Sequence, residues 1–334
     1  MKTTKITFLG SGAWGTALAK IVASKEETEV LLYGRNEAEI NDINKNHRNE
    51  KFFPSIDLPK NIKATTDLEK ACQDPDIFVL SLPSVAIESV LPKASKFLKA
   101  KPLMVNVTKG FNPKDGGGLY EMIEEIMGNS ISGLVSLLGP SFASDVMNND
   151  PTCIAAVGRS KKQCEEVQKL FSCSTFRVYT QEDIVGAETA CGMKNIIAIA
   201  SGILEGLGYK DNARASLITR GLAEITRVGL ARGANEKTFL GLAGVGDLFL
   251  TCSSKSSRNF SFGFEVGKAN SAKEALDNLN KTVEGIEADK IIYEQSKKDG
   301  IATPIVDAVY AVLFEGMKPS NVAKTLMERT LKAE

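Results

Sequence analysis

Three glycines near the start of the chain, Gly10, Gly12 and Gly15, have the spacing G-x-G-x-x-G. The first of them ends the apolar run Ile6 to Gly10, and the third opens a stretch with helical spacing. In this context the glycines allow a tight turn, a close approach of backbone to a pyrophosphate, and close packing of helix on strand. The phosphates would lie at the positive end of the helix. The pattern predicts a dinucleotide site, and the alternative is a glycine turn without a ligand.

Arg35 stands at the end of the second apolar run, Glu29 to Gly34. Dinucleotide folds that prefer NAD place an acidic side chain at this point, where it binds the ribose 2′-hydroxyl. An arginine there suits the additional 2′-phosphate of NADP. We therefore expect NADP(H) as cofactor and leave NAD(H) open as a second one. The alternative is a surface arginine that begins the next helix.

Lys194 is the strongest candidate for an acid or base. Its neighbours one helical turn away, Ala190, Cys191, Ile197 and Ala198, are all apolar or small. A buried lysine is costly unless it is paired or used, and desolvation lowers the pKa of an amine toward the range useful for proton transfer. The alternative is a lysine at a domain boundary whose amine reaches water along a buried stem.

Two further residues bear on this choice. Gly192, in the middle of the same predicted helix, costs about 1 kcal/mol relative to alanine, which predicts that something packs closely against it. The single histidine, His47, lies in the polar run Asn41 to Lys51 and is predicted to be a solvated loop or helix-end residue. Dehydrogenases built on a histidine–carboxylate pair are therefore excluded.

Asp247 is the one charged residue in the run from Phe239 to Cys252. It would either cap a helix that begins at Leu248 or face Lys194, tune that lysine and hold substrate hydroxyls. The run also contains three glycines, Gly241, Gly244 and Gly246. They lack the Lys-Ser/Thr of a nucleotide-phosphate loop, which favours close helix packing instead.

Polar groups follow several of these apolar runs. Thr251 to Ser261 concentrates hydroxyls, an amide and the guanidinium of Arg258, a set that suits a phosphate ester; the alternative is a flexible polar loop. Lys109-Gly110 and Gly139 to Ala143 each follow a predicted strand, where an open parallel sheet places ligand contacts.

The elements that would position these residues change character along the chain. Seven candidate strands occur before residue 183, at 6–10, 29–34, 77–81, 103–106, 134–139, 153–157 and 176–179, with helical stretches at 15–24, 85–98, 119–127 and 161–171. Beyond them, 183–207, 212–232, 271–298 and 303–314 all have helical spacing. We predict a Rossmann-type α/β domain over residues 1–182, doubly wound on a mostly parallel sheet, and an all-α domain over residues 183–334.

Composition excludes several classes of protein. Lys+Arg and Asp+Glu both number 41, so no overall charge favours nucleic acid or an anionic membrane. The six cysteines contain no C-x-x-C pair and no neighbouring histidine, so we expect reduced thiols and no metal site. No apolar stretch approaches the roughly 20 residues that span a bilayer, and glycines interrupt the N-terminal run that resembles a signal peptide. We expect a cytoplasmic protein.

Seven segments taken together resemble the bacterial NAD(P)-dependent glycerol-3-phosphate dehydrogenases. They are 10–19, 107–110, 139–143, 185–203, 212–224, 241–259 and 283–285, in order and at the spacing of that family. The resemblance implies reversible reduction of dihydroxyacetone phosphate to sn-glycerol 3-phosphate, which supplies glycerophospholipid synthesis. It also implies a phosphorylated triose or glycerol as the small-molecule partner. We further expect a homodimer, with no nucleic acid and no integral membrane contact.

The resemblance also implies roles for individual residues. Lys194 matches the proton donor in reduction and acceptor in oxidation. Substrate positions match Lys109, Gly139, Ser141, Lys194, Asp247, Ser257, Arg258 and Asn259. Cofactor positions match Gly10, Ser11, Gly12, Trp14, Gly15, Arg35, Lys109, Ala143, Arg258 and Glu284. Phe52, in Phe52-Phe53-Pro54, matches a further cofactor position; the family has a tyrosine there, and phenylalanine lacks its hydroxyl.

Two rival functions remain at this point. Another lysine-using β-hydroxyacid dehydrogenase of similar architecture would act on a carboxylate substrate. A redox-sensing protein would hold NADP(H) without catalysis, although Lys194 and Asp247 beside a phosphate-type cluster argue against it.

Overall fold

A computed structural model describes residues 3–277 and 283–328. The chain forms two compact units. The first consists of Met1–Lys109 and Leu119–Ile184, and the second of Gly110–Gly118 and Val185–Glu334. Each unit has its own apolar core. The short segment Gly110–Gly118 therefore belongs with the helical part of the chain, although residues of the first unit precede and follow it.

The first unit contains an eight-stranded sheet. Its strands are β1 (Thr4–Leu9), β2 (Thr28–Tyr33), β3 (Ile62–Thr65), β4 (Ile77–Leu80), β5 (Leu103–Asn106), β6 (Gly133–Leu138), β7 (Thr152–Val157) and β8 (Phe176–Gln181). They lie in the order β3-β2-β1-β4-β5-β6-β7-β8, and every neighbouring pair is parallel except β6 with β7. The order from β3 to β6 is that of a dinucleotide-binding fold. The predicted Rossmann-type, mostly parallel sheet is confirmed.

The chain reverses its winding between β1 and β4. Leu9 pairs with Leu80 at the carboxyl ends of these two strands. Chain connections leave in opposite directions from such a point, which opens a crevice where ligands bind. The predicted glycine loop begins at Gly10, directly after β1, and so lies at this crevice.

Seven α-helices accompany the sheet among the described residues. They are α1 (Ala13–Ala23), α2 (Glu37–Asn46), α3 (Leu68–Ala71), α4 (Ser84–Phe97), α5 (Leu119–Met127), α6 (Ala143–Met147) and α7 (Lys161–Phe171). The apolar side chains of α1, such as Leu18 and Val22, are fully buried in the core with β1 and β2. Burial of this face fixes the start of the helix beside the glycine loop.

The second unit is helical. Its helices are α8 (Ile184–Gly206, whose first residue belongs to the first unit), α9 (Asp211–Ala231), α10 (Asp247–Ser253), α11 (Arg258–Ala269), α12 (Lys273–Asp277), α13 (Glu284–Asp299), α14 (Pro304–Leu313) and α15 (Pro319–Met327). The predicted all-α architecture is confirmed for the described residues. No helix among them is both long enough and apolar enough to cross a membrane.

Two helices of this unit cross at unusually close range. Gly202 and Gly206 on α8 face Gly263 and Gly267 on α11, and a Cβ at any of the four would overlap backbone of the other helix. Small residues at four-residue spacing on both helices make this approach sterically allowed. The crossing brings the beginning of α11 close to the middle of α8.

Several elements differ from the sequence prediction. The seven predicted strands are present, but β3 was missed because Lys63 and Thr65 interrupt its short apolar pattern. Helix α2 was also missed because its sequence is polar, with only Ile40 and Ile43 buried. The predicted single helix 271–298 is wrong, since Val283 has an extended backbone and α13 begins after it. Residues 278–282 of that prediction lie outside the described residues.

Candidate active site

The glycine loop joins β1 to α1 in the first unit. Gly10 has φ +123°, a conformation that L side chains rarely adopt, and a Cβ there would lie 2.5 Å from the carbonyl oxygen of Ser81. Gly12 precedes the first turn of α1 and makes no side-chain cap. Apart from its chain neighbours, no heavy atom of the described residues lies within 4 Å of where its Cβ would be. The space beside Gly12 is therefore open, and the first amide groups of an α-helix have no partner within the helix, so an anionic group that enters this space can accept from them.

Gly15 and Trp14 also have surroundings that suit a bound dinucleotide. A Cβ on Gly15 would lie 2.5 Å from the Gly10 carbonyl oxygen, so the helix packs on the turn as the fingerprint requires. The indole Nε1 of Trp14 is buried and has no hydrogen-bond partner among the described residues. An unpaired buried donor beside an open helix end fits a group that supplies an acceptor there. The described residues therefore fit a bound dinucleotide.

The remaining cofactor candidates of this unit have different surroundings. Ser11 is buried, and its side chain lies against Gly34, where a Cβ would overlap it. Arg35 is exposed and lies between β2 and Asn36, the residue that caps α2, so it does not itself begin the helix. Phe52 is half-buried against the core, and Ala143 is the first residue of α6. Only backbone or apolar contact is open to Ala143.

Three predicted substrate residues of the first unit converge on one atom. The carbonyl oxygen of Gly139 accepts hydrogen bonds from Lys109 Nζ at 2.7 Å and from Ser141 Oγ at 3.1 Å. Gly139 follows β6 directly, and Lys109 follows the neighbouring strand β5. The carboxyl ends of adjacent parallel strands thus bring them together, as predicted.

Lys194 is buried in the second unit and forms an ion pair. Its side chain is 7% exposed, and Nζ lies 2.5 Å from Oδ1 of Asp247, whose side chain is 2% exposed. Nζ also donates to Thr251 Oγ1 at 3.0 Å. Lys194 is therefore buried and faces Asp247, as predicted. The alternative, a lysine reaching water along its stem, is wrong.

Both carboxylate oxygens of Asp247 have protein partners. Oδ1 faces Lys194, and Oδ2 lies 3.6 Å from Sγ of Cys191, which donates to it. Helix α10 begins at Asp247 itself, and the cap position is Gly246, so Asp247 does not cap a helix at Leu248. The carboxylate orients the amine, with little freedom to move itself.

The predicted close contact at Gly192 is also present. A Cβ at this position would overlap the ring of Phe111, which is buried in the segment Gly110–Gly118. The contact lies two residues before Lys194 on α8 and anchors that segment on the helix. Close packing also accounts for Gly244, where a Cβ would overlap the carbonyl oxygen of Phe239.

The polar cluster after α10 is ordered by the start of α11. Ser257 caps this helix by accepting from the backbone amide of Phe260 at 3.3 Å. Arg258 pairs with Glu284 at 3.2 Å, and both side chains are partly exposed. Only residues 254–257 separate α10 from α11, so most of the segment from Thr251 to Ser261 is helical and not a loop.

Asn259 is fixed on both sides of its amide. Its Nδ2 donates to Asn195 Oδ1 at 3.0 Å, and its Oδ1 accepts from the backbone amide of Gly285 at 2.9 Å. The side chain therefore links α8, α11 and the start of α13. Arg258 directly precedes Asn259, and Glu284 directly precedes Gly285. The two hydrogen bonds of Asn259 therefore also bring Arg258 and Glu284 into one polar group.

Sequence reasoning missed the hydrogen-bond partners of three polar residues in these places. Thr251 bonds Lys194, and Asn195 bonds Asn259. Asn49, which is fully buried, bonds the carbonyl oxygen of Ser11 in the glycine loop at 2.9 Å. Thr251 and Asn195 were visible as polar residues within apolar helical runs. Asn49 gave no signal, because it lies in a polar stretch.

The described part of the chain contains no cluster of metal-ligating side chains, and its cysteines do not form a reactive thiol site. No group of three or more His, Cys, Asp or Glu side chains there could hold a metal ion. The six cysteines are free thiols, and burial raises the pKa of Cys72 to about 12 and that of Cys164 to about 11. Such thiols are poor nucleophiles at neutral pH.

Family models match both parts of the chain. Residues 5–164 match the N-terminus of NAD-dependent glycerol-3-phosphate dehydrogenase, and residues 183–324 match the C-terminus of the same family. The two matches together cover strands β1 to β7, the pair Lys194–Asp247 and the polar group at Arg258.

Individual proteins extend the comparison over the full length. A glycerol-3-phosphate dehydrogenase (NAD(P)+) of Staphylococcus epidermidis is 43% identical over 331 residues, which are 99% of each chain. One from Clostridium botulinum is 42% identical over 330 residues, again 99% of each chain. The crystal structure of glycerol-3-phosphate dehydrogenase from Coxiella burnetii superposes with a TM-score of 0.91 at 32% identity, covering 98% of this chain and 99% of that one. The resemblance inferred from the sequence is confirmed: the chain belongs to the NAD-dependent glycerol-3-phosphate dehydrogenase family.

Proposed function

We propose that the protein catalyses the reversible reduction of dihydroxyacetone phosphate to sn-glycerol 3-phosphate with NADP(H), and that it accepts NAD(H) as well. The observation that carries this proposal is the buried pair of Lys194 and Asp247 in a member of this family. A lysine amine so deeply buried is expensive to maintain, and proton transfer to a substrate oxygen is a use that repays it.

In the reduction, Lys194 holds the proton that the product needs. Its Nζ donates a hydrogen bond to the substrate carbonyl oxygen, stabilises the negative charge that develops there, and transfers the proton to it. A bound nicotinamide would supply the hydride to the carbonyl carbon. Asp247 and Thr251 fix the amine, so that little reorganisation is needed when charge develops. In the oxidation, Lys194 accepts the hydroxyl proton instead.

The phosphate of the substrate is assigned to the start of α11. Arg258 supplies a forked cation there, Ser257 a hydroxyl and Asn259 an amide. The positive end of this twelve-residue helix adds to the attraction. Binding energy from the phosphate, which does not react, helps to position the carbonyl group.

The remaining roles follow the family resemblance and are proposed residue by residue. Lys109, Gly139 and Ser141 are assigned to the substrate, with Asp247 as an additional contact. The cofactor is assigned to Gly10, Ser11, Gly12, Trp14, Gly15, Arg35, Phe52, Lys109, Ala143, Arg258 and Glu284. The ion pair of Arg258 with Glu284 supports a shared role for these two side chains.

The setting of the enzyme is part of the proposal. We place it in the cytoplasm as a homodimer that supplies glycerophospholipid synthesis, with no nucleic-acid partner. Sedimentation over a range of protein concentrations tests the dimer, and a monomer at micromolar concentration would contradict it.

An assay of NADPH oxidation tests the reaction itself. Dihydroxyacetone phosphate is compared with β-keto carboxylates and with dihydroxyacetone, which lacks the phosphate. We expect turnover with the phosphate ester, and a kcat/KM for dihydroxyacetone lower by at least about a hundredfold. Turnover of a carboxylate alone would refute the proposed substrate. Binding of NADPH without turnover of any substrate would make the protein a redox-sensing binding protein.

A further inference from the structure

Asn49 is a fully buried polar residue in the connection between α2 and β3. Its backbone carbonyl accepts from the amides of Phe52 at 3.0 Å and Phe53 at 2.8 Å, which close a tight turn. Phe53 is itself buried in the core of the sheet unit. The position of Asn49 is therefore set by its own turn, independently of the glycine loop that its side chain contacts.

The side-chain amide of Asn49 bonds the glycine loop. Its Nδ2 donates to the carbonyl oxygen of Ser11 and to Oγ1 of Thr16, both at 2.9 Å. Thr16 Oγ1 in turn donates to the same Ser11 oxygen at 3.2 Å. The Ser11 carbonyl thus accepts from two buried side chains, and the three groups form a closed triangle of hydrogen bonds.

The orientation of the Asn49 amide follows from the chemistry of its neighbours. The Ser11 carbonyl can only accept, so the opposite amide orientation would place two acceptor oxygens face to face. In the present orientation Oδ1 of Asn49 is buried, and it has no hydrogen-bond partner in the described part of the chain. An unpaired buried oxygen costs free energy, so the donation by Nδ2 must be worth that cost.

The direction of the Ser11 carbonyl determines the direction of the next amide. The peptide bond between Ser11 and Gly12 is planar and trans, so its C=O and N–H point in opposite directions. Since the carbonyl points inward to Asn49 and Thr16, the N–H of Gly12 points away from them. Apart from its chain neighbours, no heavy atom of the described residues lies within 4 Å of the place of a Gly12 Cβ, which leaves this side of the residue open.

We infer that Asn49 is a positioning residue for cofactor binding: it holds the Ser11–Gly12 peptide so that the Gly12 N–H is presented to the pyrophosphate. The inference rests on the proposed NADP(H) function and deepens it. Asn49 itself touches no phosphate. It acts through the peptide, as one of two side chains that fix the Ser11 carbonyl.

Binding measurements on Asn49→Ala test the inference without using activity. NADPH affinity is measured by fluorescence titration, and adenosine 2′-monophosphate by competition with NADPH. The second ligand carries the adenine, the ribose and the 2′-phosphate but no pyrophosphate. We expect the Kd for NADPH to rise about tenfold, while that for adenosine 2′-monophosphate stays within about twofold.

Asn61→Ala is the matched control. Asn61 Nδ2 also donates to two backbone carbonyls of the same unit, those of Ala23 and Thr28, but it does not contact the glycine loop. Both affinities should stay within about twofold of wild type in this variant. An unchanged NADPH affinity in folded Asn49→Ala would overturn the inference. Equal weakening of both ligands by Asn49→Ala would also overturn it, because that pattern indicates a general structural role.

Thr16→Val provides a second route if Asn49→Ala does not fold. This variant keeps the shape of the side chain but removes one of the two donors to Ser11. We expect NADPH to bind about threefold more weakly and adenosine 2′-monophosphate to bind as before; no change in NADPH binding would count against the inference. Wild-type protein that fails to bind NADPH at all would refute the proposed function itself, which is a different outcome from selective failure of the variants.

Discussion

At the scale of single residues, the pair Lys194–Asp247 is the feature least explained by stability. Removing two charges from water costs several kcal/mol per ion, and their mutual attraction often only offsets that cost. An apolar pair of similar volume would hold α8 and α10 together equally well. The charges are therefore best understood as machinery for proton transfer.

Lys194→Ala is expected to abolish turnover and to leave NADPH affinity nearly unchanged. It also leaves Asp247 buried without its cation, so the free energy of unfolding should fall by about 3 kcal/mol. Urea unfolding and NADPH titration measure these two effects. The double variant Lys194→Met, Asp247→Asn should regain part of the stability but no activity. Full activity in Lys194→Ala would refute its role.

Arg35→Ala tests the preference for NADP(H). Arg35 is exposed at the end of β2, where a 2′-phosphate would lie. Loss of a charge-assisted contact to that phosphate should raise the KM for NADPH about tenfold. The KM for NADH should not change, because NADH lacks this phosphate. An equal loss with both cofactors would show that Arg35 acts in another way.

At the scale of elements, the crossing of α8 and α11 determines where the phosphate group is held. A Cβ on Gly263 would overlap the carbonyl oxygen of Ile199, a backbone atom that cannot rotate away. We expect Gly263→Ala to lower the free energy of unfolding by about 1–3 kcal/mol, despite the better helix propensity of alanine. Because α11 would shift from Asn195, the KM for dihydroxyacetone phosphate should rise more than that for NADPH.

The control for this prediction is Glu265→Ala, an exposed substitution on the same helix. Urea unfolding and substrate kinetics on both variants separate a change in helix propensity from a change in helix crossing. Wild-type stability and KM in Gly263→Ala would show that the two helices tolerate a wider separation.

The start of α14 is held by a carboxylate from α9. Glu224 accepts from the backbone amides of Ile305 and Val306 at 2.9–3.2 Å and is almost fully buried. Burial raises the pKa of Glu224 to about 7, although the two amides and the charge of Arg227 act in the opposite direction. Burial also raises the pKa of Asp289 on α13 well above its usual range.

The raised pKa of Glu224 makes the free energy of unfolding depend on pH in a defined direction. In the folded state the Glu224 carboxyl keeps its proton up to about pH 7, whereas in the unfolded state it loses the proton near pH 4.5. The stabilisation is therefore fully present below pH 4.5 and is lost as the pH rises to about 7. In Glu224→Gln this loss should shrink by up to about 3 kcal/mol. Urea unfolding from pH 5 to 8 measures the slope, with Glu265→Gln as control. An identical slope in wild type and Glu224→Gln would contradict the pKa shift.

At the scale of the whole molecule, cofactor binding must be linked to folding of the first unit, because the glycine loop exists only when β1 and α1 are formed. A ligand that binds only the folded state at a hundred times its Kd stabilises that state by about 2.7 kcal/mol. NADPH at this ratio should therefore raise the melting temperature by about 5 °C. Amide hydrogen exchange should slow most in residues 10–17. An unchanged melting temperature would contradict cofactor binding.

Much of the architecture was predictable because its signals are local. Parallel strands such as β4 and β5 are short, wholly buried apolar runs, and α7 repeats apolar residues at helical spacing. The elements that were missed lack such signals. Helix α2 buries only two apolar side chains, and its start depends on the cap at Asn36.

The sequence by itself determined the glycine loop, the Rossmann-type class of the first unit, the family, and Lys194 as the residue to suspect, because each depends on residue types at fixed spacing. Only the tertiary structure decided that Asp247 faces Lys194 and does not cap a helix, and that Asn49 holds the peptide before Gly12. These contacts join residues 53 and 38 positions apart in the chain, respectively. Such partners are chosen by helix packing and by a buried turn, which no local pattern records.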